Sequence, residues 1–153
     1  MAKKETTQKL WRFLLILYGS IMLWLLFGRS SLGAEGLSYH QQLLRNTNFK
    51  PFYTIGNYVR VLINSRNQQL LRESIINLGG NIFLFIPAGL LFPRVWSFLR
   101  KFFPYIAFCT GVILLVEILQ LFTLLGCFDV DDLILNLFGM CIGFMLYKIT
   151  DRG

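Results

Sequence analysis

Three acids stand within four residues at Asp129, Asp131 and Asp132, and Asn136 follows Asp132 by one helical turn. Upstream, Glu117 and Gln120, three apart, share a face inside an apolar run, and Asn77 and Asn81, four apart, share one in another. Carboxylates in such company suit three tasks: a general base, a hold on a cation, amine or hydroxyl, or, with several acids together, a divalent metal site. No Ser, Cys or His motif accompanies them, so covalent nucleophilic catalysis has no candidate.

The surrounding elements must be membrane helices. The chain of 153 residues is 55% hydrophobic, and its mean hydropathy of +0.56 lies far above that of a soluble domain. A spanning helix needs about 20 mainly apolar residues, and charges at its ends can snorkel. Four stretches qualify, at about residues 11–27, 75–92, 102–125 and 133–147. The expected fold is all-α: a polytopic four-helix transmembrane bundle in one domain, with a long outer loop over residues 28–74.

Lys and Arg assign the sides. Lys3, Lys4, Lys9 and Arg12 precede the first stretch, Arg94, Arg100 and Lys101 join the second to the third, and Lys148 and Arg152 follow the fourth. By the positive-inside rule these groups, and both termini, are expected to be cytoplasmic. The Gly126–Asp132 connection, with three Asp and no Lys or Arg, then lies outside. The 28–74 loop carries six basic residues yet falls outside by parity, an exception that longer loops allow. The charge of +7 is thus read as membrane topology, with no nucleic-acid partner. Lys3, Lys4, the first apolar run and Ser31-Leu32-Gly33 loosely mimic a signal peptide, but the run is long for one and ends in Arg29.

Depth then groups the polar residues. With this orientation Asn77 and Asn81 fall in the outer half of the second helix, and Glu117 sits about 12 Å below the outer end of the third. Asp129, Asp131, Asp132 and Asn136 open the fourth. Asn77, Asn81, Glu117, Gln120, Asp129, Asp131, Asp132 and Asn136 therefore form a candidate outward-facing pocket. A carboxyl at the depth of Glu117 must be neutralised, paired or cation-bound, and Arg29 is its candidate ion-pair partner. No cofactor motif is present; Asp131, Asp132 and Glu117 are the acids that a divalent cation would take.

Plainer roles exist for the same residues. One Asp is expected to cap the fourth helix, and the three Asn could bond neighbouring helices at about 0.5 to 2 kcal/mol each. Gly139 and Gly143 read as a close helix-packing face, while Pro87 and Gly89 are expected to kink or break the second helix. Ile55, Tyr58, Val59, Leu62 and Ile63 share one face of an amphipathic helix, which either lies on the bilayer surface, its cations meeting anionic lipid, or packs on the bundle. Trp11, Trp24 and Trp96 fit an interfacial belt. His40 reads as solvated, and Cys109, Cys127 and Cys141 suggest neither a disulfide nor zinc.

Three blocks carry a resemblance to the VanZ family of small bacterial membrane proteins: Asn48-Phe49-Lys50-Pro51-Phe52; the run from Asn77 to Gly89; and Glu117 to Gln120 followed by Asp129 to Asn136 and Gly139. The resemblance covers about residues 10–148. Family members often carry Arg shortly before the acidic block, where this chain has Gly126 and Cys127. It implies a bacterial cell-membrane protein, and the family's founding member is linked to reduced susceptibility to the glycopeptide teicoplanin. The expected function is binding of, or action on, an envelope lipid, cell-wall precursor or glycopeptide. Alternatives are a metal-assisted hydrolase or transferase of a lipid-linked substrate, and a small transporter or accessory subunit. Four helices without inverted repeats disfavour a carrier.

Overall fold

Asn67 starts the helix that positions most of the site, its side chain accepting the backbone amides of Gln69 and Leu70. The computed structural model describes residues 2–28 and 36–151. In chain order the elements are α1 (Ala2–Phe27), α2 (Tyr39–Arg45), β1 (Thr47–Asn48), α3 (Tyr53–Asn64), α4 (Gln68–Val95), a 3-10 turn (Ser97–Arg100), α5 (Phe102–Phe122), β2 (Phe128–Asp129) and α6 (Val130–Thr150). Four of these helices, α1, α4, α5 and α6, are long and apolar enough to cross a membrane. The chain is an all-α polytopic membrane protein.

Helix ends differ from the hydropathy reading, for local reasons. Helix α4 has 28 residues, a length of about 42 Å that exceeds the hydrocarbon core. The Asn67 cap begins it seven residues ahead of the apolar run, carrying Arg72 and Glu73 on its first turns. Helix α5 stops at Phe122, not at residue 125: Leu124 takes a left-handed φ of 54°, and the amides of Leu125 and Gly126 fold back onto the Gln120 carbonyl. From Leu121 to Gly126 only Thr123 is polar, so hydropathy has no edge to detect.

The core lies where α4, α5 and α6 meet. Tyr105, Cys109 and Ile113, one turn apart along α5, are fully buried against Met140, Phe144 and Phe85. The Tyr105 hydroxyl donates 2.7 Å to the Met140 carbonyl, a bond that satisfies a polar tip in an apolar interior. Helices α4 and α6 touch backbone to backbone. A Cβ on Gly139 would strike the Ile82 carbonyl, one on Gly143 the Ile86 carbonyl, and one on Gly89 the Met140 carbonyl. The glycine face is as expected, and Gly89 belongs to this crossing. Pro87 does not break α4, which runs unbroken to Val95 with Ala88 and Gly89 buried on α6.

Helix α1 leans on α4. Tyr18 donates 2.9 Å to the Leu84 carbonyl, Gln8 donates 3.1 Å to that of Val95, and Arg94 stacks on Trp11 at 4.5 Å. Its other side leaves Phe13, Ile16 and Trp24 exposed, as a lipid-facing surface requires. The amphipathic helix is present as α3. Thr54, Ile55, Tyr58 and Val61 turn half-buried toward the protein, while Val59, Leu62 and Ile63 stay exposed. It therefore packs on the bundle along one side and presents an apolar strip along the other.

Candidate functional site

The α3 helix is held by acids from α6. Asp129 caps α6, accepting the Asp131 amide at 2.9 Å, which is the capping role expected of one of the three. Its other oxygen receives the Thr54 hydroxyl at 2.6 Å, and the Asn48 side-chain amide donates to both oxygens, at 3.2 and 3.3 Å. Asp131, wholly buried, accepts the backbone amides of Phe52 and of Ile55, the latter at 2.9 Å. Phe52 has a left-handed φ of 62° and no side-chain cap of its own, so Asp131 supplies from another element what the start of α3 lacks. Residues Thr47 and Asn48 pair in parallel with Phe128 and Asp129, which fixes the two loops in register.

The remaining six candidates line one cleft of about 730 Å³ between α1, α4, α5 and α6: Asn77, Asn81, Glu117, Gln120, Asp132 and Asn136. Leu25, Leu26, Leu84, Phe85 and Val116 supply its apolar wall. Asn81 donates to an Asp132 oxygen across the α4–α6 seam. Gln120 donates 3.1 Å to the Leu26 carbonyl, and Asn77 donates 2.8 Å to the Glu73 carbonyl of its own helix. Glu117 is 4% exposed and receives one long bond, from the Asp129 amide at 3.4 Å. Asn136, also 4% exposed, has a carbonyl oxygen with no hydrogen-bond partner.

Asp129 and Asp131 therefore do not join the other six in the cleft. Asp131 directs both oxygens to α3, away from Asp132 and Glu117, and among the described residues no three His, Cys, Asp or Glu side chains are grouped to hold a metal ion. Arg29 lies outside the described residues. No Lys or Arg among the described residues forms an ion pair with Glu117; the ion pair seen there, Lys9 to Glu5 at 3.0 Å, is on the surface of α1. The acidic field reaches the neighbouring loops. Burial pushes the Tyr58 hydroxyl above its ordinary value, with Asp132, Asp129 and Glu73 adding to it. The Cys127 thiol is raised by burial, then by Asp132, Asp129 and Glu117, against a lowering by Arg45.

Asn48, Thr54 and the Phe52 and Ile55 amides were not marked as functional by sequence reasoning. Asn48 and Phe52 had only the Asn48 to Phe52 block as a signal, which has no chemistry of its own until Asp129 and Asp131 meet it; Ile55 had only its place on the amphipathic face, and Thr54 had none.

Carboxyl and amide groups, those of Glu117 and Asn136 buried, face one cleft between four helices long and apolar enough to cross a membrane, which defines a polytopic membrane protein with a polar cleft among its helices. The family described as VanZ/LLP1 matches residues 15–151, and the chain belongs to it. Protein VanZ of Enterococcus faecium is 31% identical over 142 residues, covering 92% of this chain and 75% of that protein. No solved structure matches.

Proposed function

We propose that the acid and amide cleft faces outward, at the outer half of the cell membrane, and binds an amphiphilic envelope component: a membrane lipid, a lipid-linked cell-wall precursor or a glycopeptide. Through it the protein lowers susceptibility to a teicoplanin-type antibiotic. One observation carries this reading: Asn136 and Glu117, almost completely buried, face an open cleft with acceptor atoms that the protein leaves under-used. An unmet buried acceptor costs about 1 to 3 kcal/mol, which is tolerated where a ligand repays it. The family membership supports the envelope setting, and the cations of the 28–74 segment suit anionic head groups.

The test is expression of wild type, Glu117→Gln, Asp132→Asn and Asn136→Leu in a susceptible host at matched membrane levels. Wild type is expected to raise the inhibitory concentration of teicoplanin, and each variant to lose most of that rise. Equal protection by all four proteins would overturn the role of the cleft.

A further inference from the structure

The cleft is unbalanced in hydrogen-bonding capacity. Its amide nitrogens at Asn77, Asn81 and Gln120 are already turned to protein acceptors, on Glu73, Asp132 and Leu26. Its acceptors are not used up: Glu117 has one long bond, Asp132 accepts from Asn81, and the Asn136 carbonyl oxygen has none. One donor, the Asn136 amide nitrogen, is also left without a protein acceptor among the described residues, but the free acceptors of Glu117, Asp132 and Asn136 outnumber it, so a matching ligand chiefly donates. No Lys, Arg or His is among the described residues that line the cleft, so none of those residues offers the two carboxyls a cation. An anionic group would meet repulsion there. A divalent ion prefers six or more oxygens, and among the described residues no three acids are grouped.

We infer that the cleft receives a primary ammonium group carried on an apolar chain. The ammonium has three donors for three acceptor groups, Glu117, Asp132 and Asn136, and charge-assisted bonds to two of them are the strong kind. The chain lies against Leu25, Leu84, Phe85 and Val116. The volume, about 730 Å³, is that of a site for a small organic molecule. This inference rests on the reading of the cleft as the binding site and names its ligand class.

The full-length protein, purified in detergent, is titrated by native mass spectrometry with phosphatidylethanolamine, N-acetylated phosphatidylethanolamine, phosphatidylglycerol and octylamine. Amine-bearing probes are expected to bind on the order of tenfold more tightly than the N-acetylated and anionic lipids, with a similar loss in Glu117→Gln and in Asp132→Asn. Asn136→Leu removes the third acceptor and should also weaken the amine. Asp151→Asn, at the other end of α6, should leave binding unchanged; helical content by circular dichroism identifies any variant that fails to fold. Preference for phosphatidylethanolamine over octylamine assigns the amine to a phospholipid headgroup, and the reverse assigns it to a phosphate-free amine; both support the inference. Equal binding of the N-acetylated or anionic lipid, still lost in Glu117→Gln, overturns the amine assignment and leaves the cleft reading standing. Amphiphile binding that none of the three cleft variants alters overturns both.

Discussion

Asp131 and Asp132 are neighbours in sequence but point about 100° apart around α6, and this separates their roles. Asp131 is enclosed by the start of α3, where it takes two backbone amides; Asp132 faces the cleft and Asn81. Asp131→Asn puts an amide donor where an acceptor is needed, and a lost bond to a charged group costs about 1.5 to 3 kcal/mol. Asp132→Asn keeps a carbonyl oxygen to accept from Asn81 and only makes one interhelical bond neutral, a change of about 1 kcal/mol or less. Thermal unfolding in detergent should therefore rank Asp131→Asn as the more damaging; the reverse order would refute the division. Cys127 reports the same field. Its thiol is held above the ordinary value, so at a given pH it has less thiolate and is alkylated more slowly than a free thiol, the rate still climbing with pH beyond the ordinary range. Removing the Asp132 charge lowers that value and should speed iodoacetamide labelling at pH 8; equal rates in wild type and Asp132→Asn would break the link.

At the scale of elements, the α4–α6 contact decides whether the cleft keeps its shape, since Asn77 and Asn81 reach it from one helix and Asp132 and Asn136 from the other. Gly139→Ala drives a methyl onto the Ile82 carbonyl, and overpacking of this kind costs about 1 to 3 kcal/mol. Gly111→Ala on α5 meets nothing within 4 Å and gains about 1 kcal/mol of helix propensity. Unfolding measurements should give opposite signs for the two, and a stabilised Gly139→Ala would contradict the backbone contact. Helix α3 is the element whose placement pattern alone left open. Its apolar periodicity was legible, but whether it lay on lipid or protein depended on Asp129 and Asp131, more than sixty residues downstream.

For the whole molecule, the proposed orientation places Cys127 on the outer side, and Cys127 is exposed whereas Cys109 is buried. In a Cys109→Ala, Cys141→Ala background, a membrane-impermeant maleimide should label Cys127 in intact cells; labelling only after permeabilisation would invert the topology. The four spanning helices and the glycine face were legible in the sequence, and the polar residues to look at were too, because burial in lipid imposes long apolar runs and makes each interrupting polar group conspicuous. Sequence could not say that Asp129 and Asp131 belong to the α3 clamp while Asp132 belongs to the cleft. Nor could it say that Asn48 and Thr54 complete that clamp, or that the Asn136 carbonyl is left without a partner. A sequence determines the type and the depth of a polar group, but its partner is set by rotation about the helix axis and by which loop closes over it, and those are fixed only when the helices pack.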